Sequence, residues 1–118
     1  MKTLAAIPCF NEELAIGSVV LKARKHVDDV LVVDDGSTDS TVEVATEAGA
    51  VVVSHEVNMG KGAAIKTALE YTSEGGFDAL VLLDGDGQHD SNQIPLLMKP
   101  IQSAGVQSIY IIKKNRKK

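Results

Sequence analysis

Apolar runs typical of buried strands alternate with segments of helical periodicity along this 118-residue chain. Runs such as 4–8, 30–33 and 79–83 lack the alternating polar residues that a strand with one solvated face would show. Strands of this kind, separated by helices, favour a parallel sheet that is covered by helices on both faces. The chain is therefore predicted to fold as an α/β domain.

The predicted elements follow one another with short connections. Asn11 is a plausible N-cap for the first helix, and Ser37 and Thr38 offer caps for the second. Gly49 is suited to end the second helix in the left-handed conformation. The predicted order is strand 4–8, helix 14–25, strand 30–33, helix 41–48, strand 51–54, helix 62–72, strand 79–83, helix 92–103 and strand 108–112.

Composition and charge narrow the functional classes. A hydrophobic content of 44% argues for a folded globule, whereas 3% aromatic residues, no Trp and a net charge of −4 argue against a nucleic-acid-binding protein. The single cysteine allows no intrachain disulfide, and no apolar run approaches the roughly 20 residues of a membrane span. Because the start of the chain does not resemble a signal peptide, a soluble, cytoplasmic protein is expected.

Four polar segments follow the apolar strands and hold most of the unusual chemistry of the chain. They are 7–13 (IPCFNEE), 33–39 (VDDGSTD), 58–62 (NMGKG) and 83–90 (LDGDGQHD). In an open parallel sheet, ligands bind beyond the carboxyl ends of the strands. We therefore expect the four segments to build one site.

The last of these segments predicts a divalent cation. Asp84 and Asp86 are two residues apart in a glycine-rich turn, so both carboxylates can face one Mg²⁺ or Mn²⁺, and Gln88 can supply a neutral oxygen. An EF-hand loop beginning at Asp84 is excluded, because His89 and Pro95 stand where that loop needs Gly and Glu. A purely structural turn rich in Asp and Gly is the alternative.

The second segment ends the second strand with two acidic residues, Asp34 and Asp35. A carboxylate at a strand end can accept hydrogen bonds from a base or a ribose. Asp35 is the better ligand candidate, and Asp34 is equally suited to cap the helix behind it.

The third segment, 58–62, resembles a phosphate-binding loop but fits neither familiar pattern. A nucleoside-triphosphate loop needs Gly at position 55, which is His55, and a dinucleotide fingerprint needs a small residue at position 65, which is Ile65. The first turn of the chain also lacks the glycines that a dinucleotide fingerprint would place there. An NAD-binding Rossmann domain is therefore disfavoured.

The histidines and the cysteine give weaker signals. His89 lies beside the acidic turn as a candidate ligand or pocket wall, whereas His26 and His55 are interpreted as surface or loop residues. Cys9 is interpreted as a small packed residue rather than a nucleophile, because no His or Asn partner is evident nearby.

Taken together and in this order, the four segments resemble the family 2 glycosyltransferases, and within them the dolichyl-phosphate mannose (or glucose) synthase-like branch. The likeness runs from position 3 to about 101, and four motifs in this order are far more specific than any one of them. It implies the GT-A fold with its Rossmann-like parallel sheet, a nucleotide-diphosphate-sugar donor of the GDP-mannose or UDP-glucose type, and inversion at the anomeric carbon.

The resemblance also implies roles for single residues. Asp84 and Asp86, with Gln88, would hold Mg²⁺ or Mn²⁺ on the diphosphate, where the metal stabilises the leaving nucleotide as a Lewis acid. Asp35 would contact the base or the ribose, and Lys61 would lie near the phosphates. The residues implied to bind the nucleotide are Pro8, Phe10, Glu12, Asp35, Asn58, Gly60, Lys61 and Asp84.

The resemblance departs at the carboxyl-terminal end of the chain. Family members continue into an acceptor site and, where one is used, a catalytic base. Residues 1–112 are thus predicted to be the nucleotide-sugar-binding half of a GT-A domain, and 113–118 a basic tail. An exposed strand at 108–112 would favour a homo-oligomer formed edge to edge.

The function that follows is metal-dependent transfer of a hexose to a polyprenyl or dolichyl phosphate, or to another glycosyl acceptor. Such acceptors imply a peripheral location at the cytoplasmic face of a membrane. One alternative is a nucleotide-sugar-binding module that no longer catalyses. A phosphatase of the Asp-x-Asp type is disfavoured, because it needs this motif on the first strand, with a lysine and a second pair of acidic residues downstream.

Overall fold

The computed structural model of the chain describes residues 2–85 and 108–111. Strands and helices alternate over residues 2–85 as predicted. The helix predicted over 92–103 and the basic tail 113–118 lie outside the described residues. The observed elements are β1 (Thr3–Cys9), α1 (Ile16–Ala23), β2 (Asp29–Asp34), α2 (Thr41–Glu47), β3 (Val51–Ser54), α3 (Lys61–Glu74), β4 (Ala79–Leu82) and β5 (Ser108–Ile111).

The strands form one sheet in the order β3-β2-β1-β4-β5, and every neighbouring pair is parallel. The order reverses at β1, because β2 and β3 extend the sheet to one side whereas β4 and β5 extend it to the other. Open α/β sheets form a crevice at such a point, outside the carboxyl ends of the strands. The predicted α/β class and the parallel sheet are confirmed.

Helices cover the sheet on both faces, as predicted. Successive residues of a strand point to opposite faces, and β1 accordingly sends Ala5 and Ile7 into one apolar cluster and Leu4 and Ala6 into another. The first cluster is completed by α1 and α2, and the second by α3. Both faces of the strand are therefore buried, which explains why its sequence lacks polar alternation.

The predicted helix caps are wrong in detail. The N-cap of α1 is Ala15, whereas Asn11 has a φ of 52° and accepts a hydrogen bond of 2.8 Å from the Thr38 amide. Ser37 in turn accepts one of 2.8 Å from the Asn11 amide. Polar side chains predicted to cap their own helices therefore bind the neighbouring turn instead, and Ser40 is the N-cap of α2.

Two further features bear on the predictions. Gly49 follows α2 with a φ of 103°, so the predicted positive-φ end of this helix is confirmed. Within residues 2–85 and 108–111, no helix combines the length and the apolar character that a membrane crossing requires.

Candidate functional site

A cavity of about 410 Å³ opens at the carboxyl edge of the sheet, near the reversal of strand order. Its walls come from the ends of β1, β2 and β4 and from the connection that leads into α3. The structure therefore brings all four polar segments together around one space. The lining residues are Pro8, Cys9, Phe10, Glu12, Asp35, Asn58, Gly60, Lys61, Ala64, Asp84 and Gly85.

Every residue that the family resemblance implies for nucleotide binding is in that lining. Their binding role stays a prediction, since the cavity shows where they lie and not what they bind. Of the three predicted metal ligands, Asp84 lines the cavity, whereas Asp86 and Gln88 lie outside the described residues, as does His89.

Asp35 follows β2 directly and is 5% exposed. Its Oδ1 accepts a hydrogen bond of 2.9 Å from the Met59 amide, and its Oδ2 accepts one of 2.9 Å from the Gly60 amide. Burial alone would raise the pKa of this carboxyl, but hydrogen bonds from His55, Met59 and Gly60 outweigh burial and lower the pKa. Asp35 is therefore ionised at neutral pH. Its hydrogen bonds to Met59 and Gly60 tie it to the segment that precedes α3.

His55, which the sequence suggested was a surface or loop residue, is the site residue that sequence reasoning missed. Its Nδ1 lies 2.9 Å from Asp35 Oδ1, its Nε2 lies 2.9 Å from Thr67 Oγ1 on α3, and its side chain is 12% exposed. The available signal was its position, because His55 is the first residue after β3 and thus stands at the carboxyl edge of the sheet.

Gly36 brings the turn after Asp35 against the segment before α3. Its φ is 79°, and a Cβ at this position would lie 2.7 Å from the Asn58 amide nitrogen and 2.7 Å from the Val57 carbonyl carbon. Only a residue without a side chain fits such a close approach between two backbones. The glycine therefore helps to bring Asn58 to the cavity.

Asp84 lies at the opposite wall, just after β4. Its Oδ1 is 3.2 Å from Lys61 Nζ, and the two side chains are 25% and 69% exposed, respectively. Gly85 packs closely on the end of β1, since a Cβ there would lie 2.9 Å from Cys9 Cβ. An exposed ion pair of this kind contributes at most about 1 kcal/mol, so Asp84 can exchange its lysine partner at little cost.

Asp84 is the predicted metal ligand that lies among the described residues. In the described part of the chain, no three His, Cys, Asp or Glu side chains come together as a group that could hold a metal. Asp84 still offers a partly exposed carboxylate in a cavity, next to a glycine that brings the backbone close. These features suit a hard cation such as Mg²⁺ or Mn²⁺.

Cys9 and Asp34 point to the sheet face opposite Asp35. Burial first, and then the charge of Asp34, raise the pKa of the Cys9 thiol to about 12, so the sulfur stays protonated and packs as the sequence indicated. Asp34 is 2% exposed and its Oδ2 accepts a weak hydrogen bond of 3.3 Å from the Ser37 amide. Within residues 2–85 and 108–111, its Oδ1 has no hydrogen-bond partner.

The turn after β1 is tied to the start of α2. The Glu12 amide donates a hydrogen bond of 2.9 Å to Thr41 Oγ1, and the Ser40 amide donates one of 2.9 Å to Glu13 Oε1. Together with the bonds between Asn11 and the second turn, these contacts fix the cavity wall that carries Phe10 and Glu12.

Comparison with known proteins adds family relationships to this geometry. Residues 5–117 match the family described as "Glycosyl transferase family 2". UDP-N-acetylglucosamine--dolichyl-phosphate N-acetylglucosaminyltransferase of Methanococcus voltae is 34% identical, over 80% of this chain and 45% of its own length. Undecaprenyl-phosphate mannosyltransferase of Micrococcus luteus is 35% identical, over 88% of this chain and 46% of its own length. The chain spans about half the length of the curated relatives it matches.

Solved structures give the same relationship. Glucosyl-3-phosphoglycerate synthase from Mycobacterium tuberculosis, in complex with Mn²⁺, UDP-glucose and phosphoglyceric acid, is similar with a TM-score of 0.71 and 34% identity. The similarity covers 85% of this chain and 39% of that one. The complex of the same enzyme with Mg²⁺ and UDP gives a TM-score of 0.72, again at 34% identity and over 85% and 39% of the two chains.

Proposed function

This chain belongs to glycosyl transferase family 2 and has the GT-A fold, and we propose that its cavity binds the nucleotide of a nucleotide-diphosphate-sugar donor. One observation carries the proposal: the eight residues that the resemblance assigns to the nucleotide all line a single cavity. The cavity also lies near the reversal of strand order, where open α/β sheets bind their ligands.

Asp35 is suited to recognise the nucleoside. A carboxylate offers about four acceptor positions, and its contacts with His55, Met59 and Gly60 leave room for a ribose hydroxyl or a base N–H. Phe10, which is 44% exposed, supplies an apolar wall to the same cavity. An ionised acceptor beside an apolar surface matches the chemistry of a nucleoside.

Lys61 and the amino-terminal end of α3 are suited to the diphosphate. Lys61 is the first residue of α3 and carries its ammonium group to the cavity. The amino-terminal end of a helix has a partial positive charge and unpaired amide groups, both of which attract phosphate. These two sources of positive potential support a diphosphate next to Asp84.

We further propose that Asp84, with Asp86 and Gln88 as the other predicted ligands, would hold a divalent cation, Mg²⁺ or Mn²⁺, at the diphosphate. The related synthase was crystallised with Mn²⁺ and UDP-glucose and with Mg²⁺ and UDP. When bound, such a cation supplies Lewis-acid stabilisation of the departing nucleotide diphosphate. The residues of the chain hold the donor in place.

The proposed reaction is inverting transfer of a hexose to a polyprenyl phosphate at the cytoplasmic face of a membrane. The relatives from Micrococcus luteus and Methanococcus voltae are named for undecaprenyl phosphate and dolichyl phosphate, respectively. In this proposal 1–112 is the donor-binding half-domain and 113–118 a basic tail. Self-association through 108–112 is also proposed, since β5 lies at an edge of the sheet formed by the described strands.

Calorimetric titration tests the donor site. We expect UDP or GDP, and the matching UDP-glucose or GDP-mannose, to bind more tightly with Mn²⁺ than without it. Equal affinities with and without Mn²⁺ would contradict the cation, and failure of both nucleotides to bind would contradict the donor site.

A separate assay of sugar transfer to a short polyprenyl phosphate tests the reaction. Light scattering on the same sample tests self-association. Donor binding without sugar transfer would favour the alternative of a non-catalytic binding module.

A further inference from the structure

His55 connects two elements next to the cavity without being one of the described residues that line it. Its ring lies between the Asp35 carboxylate after β2 and the Thr67 hydroxyl on α3, with 2.9 Å on each side. The side chain is 12% exposed. Contact with a ligand in the cavity therefore does not account for its position.

The protons of this cluster can be assigned from its hydrogen bonds. Asp35 is ionised and can only accept, so His55 Nδ1 carries a proton. A neutral ring accepts at Nε2 from the Thr67 hydroxyl, whereas a protonated ring donates to that oxygen while the hydroxyl turns to the Ala63 carbonyl, 3.1 Å away. Each ring nitrogen keeps a hydrogen bond in both states, so the ring orientation does not depend on its charge.

Asp35 in turn holds the segment that precedes α3. It accepts hydrogen bonds from the amides of Met59 and Gly60 in this segment. Asn58 in the segment and Lys61 directly after it both line the cavity. Burial of apolar side chains contributes little here, because Val57 is 66% and Met59 62% exposed. The hydrogen bonds to Asp35 are therefore a main determinant of where the segment lies.

We propose that His55 is a positioning residue of this cavity: by bracing the Asp35 carboxylate against Thr67, it sets the position of the 56–60 segment. The bracing is a property of the free protein. Its consequence for ligand affinity rests on the proposed nucleotide-binding function.

The variants His55→Ala, His55→Asn and Thr67→Val separate the two contacts of the ring. Alanine removes both contacts, and asparagine keeps an N–H donor near the Nδ1 position for Asp35. Valine at position 67 removes the partner of Nε2 and nearly preserves shape. The matched control is His26→Ala, which removes a partly exposed histidine at the opposite end of the sheet.

Amide hydrogen exchange of the nucleotide-free protein is the first measurement. We expect His55→Ala to speed exchange at Met59 and Gly60 about tenfold, as for the loss of about 1.4 kcal/mol. Asparagine should restore most of the protection, Thr67→Val should give a smaller increase, and His26→Ala should change neither amide. Unchanged exchange at Met59 and Gly60 in His55→Ala, with the β1 and β2 amides still protected, would overturn the proposal. If His55→Ala does not fold, unchanged exchange in Thr67→Val overturns it instead.

Titration with UDP and with GDP, each in the presence of Mn²⁺, is the second measurement. We expect about tenfold weaker binding by His55→Ala and a return to within about threefold of the unchanged chain in His55→Asn. Equal affinity of His55→Ala and the unchanged chain would overturn the effect on the ligand. If neither nucleotide binds the unchanged chain but the exchange rates change as expected, the nucleotide-binding function fails and the positioning role stands.

Discussion

Asp35 and Asp84 each follow a buried strand and line the same cavity, yet the protein holds their carboxylates in different ways. Asp35 is 5% exposed and accepts hydrogen bonds from two backbone amides and from His55. The Asp84 side chain is 25% exposed, and its Oδ1 lies 3.2 Å from Nζ of Lys61, whose side chain is 69% exposed. One carboxylate is built into the scaffold, and the other pairs with a group that can move away.

The difference suits two tasks in one site. A nucleoside is recognised by acceptors in fixed positions, and a carboxylate held by backbone amides needs no rearrangement when a ligand arrives. A cation that comes and goes with its diphosphate needs a carboxylate whose existing partner is weakly bound. The comparison therefore predicts that substitutions at Asp84 act on metal-dependent binding, whereas substitutions around Asp35 also act on the fold.

The largest expected effect is that of Asp84→Asn on metal-dependent binding. Loss of a group that merely supports a metal ligand typically costs 10- to 100-fold in metal affinity, so loss of a direct ligand should cost at least about 100-fold. Calorimetry with UDP and GDP, with and without Mn²⁺, measures the loss. Asp29→Asn, the same charge change at the amino end of β2, is the control. If nucleotide binding by Asp84→Asn depends on Mn²⁺ as it does in the unchanged chain, Asp84 is not a metal ligand.

Asp35→Asn should weaken nucleoside binding by about 1–3 kcal/mol, the range for a hydrogen bond to a charged group. Uridine and guanosine without metal are the probes, because they report on the nucleoside part alone. The Asp84→Asn variant is the natural contrast, since it should bind both nucleosides about as the unchanged chain does. Unchanged nucleoside affinity in a folded Asp35→Asn protein would leave Asp35 with a purely structural role.

Gly36→Ala tests the close approach beside Asp35. A Cβ at a φ of 79° and 2.7 Å from the Asn58 nitrogen should lower the free energy of unfolding by about 1–3 kcal/mol. Gly62→Ala, whose Cβ would have no neighbour within 4 Å, is the matched control and should be neutral or slightly stabilising. Urea denaturation measures both. Equal changes in the free energy of unfolding for the two substitutions would show that the close approach at Gly36 does not require a glycine there.

Acidification gives a smaller effect with a defined sign. The folded state lowers the pKa of Asp35, so its ionised form contributes stability that is fully present above the unfolded pKa of about 4. This contribution should be lost as the pH falls below about 4 toward the folded value. Urea denaturation between pH 6 and about pH 2 should therefore show a shallower acid-induced loss of stability for Asp35→Asn. If the free energy of unfolding falls equally with pH in both proteins, the hydrogen bonds to Asp35 do not stabilise its ionised form.

The smallest expected effect is that of Lys61→Ala on stability. The Lys61–Asp84 pair is exposed, so its loss should change the free energy of unfolding by no more than about 1 kcal/mol. Thermal unfolding of Lys61→Ala and of Asp35→Asn under the same conditions compares the loss of stability in the two variants. A loss for Lys61→Ala as large as that for Asp35→Asn would show that both carboxylates are structural and that the contrast between them is false.

The sheet and the gathering of the four turns could be predicted because both follow from local rules. A strand such as 30–33 is apolar at every position only if both of its faces are buried, and parallel strands bring their following turns to one edge. The partners of individual polar residues could not be predicted. Asn11 looked like a cap for its own helix, but its strongest contacts are with residues 26 and 27 positions away, in another turn.

The partners of His55, next to the cavity, could not be predicted from the sequence either. Its partners are Asp35, 20 residues before it, and Thr67, 12 residues after it on another element. The residues next to His55 in sequence, Ser54 and Glu56, are both exposed, which is why the local pattern indicated a surface position. A rule based on the fold finds it, since the first residue after a parallel strand stands at the carboxyl edge of the sheet, where ligands bind.

The turns after β1 and β2 hold each other through bonds that run in both directions, from Asn11 to Ser37 and from Thr38 back to Asn11. In these two bonds the side chains of Asn11 and Ser37 each accept from the backbone of the other turn and not from a side chain there. Positions 11 and 37 therefore each need a short side chain with an acceptor oxygen, whichever residue stands opposite, whereas position 38 contributes its amide to one of the two bonds. Among related sequences we expect Asn, Asp, Ser or Thr at positions 11 and 37, and a wider range of residues at position 38.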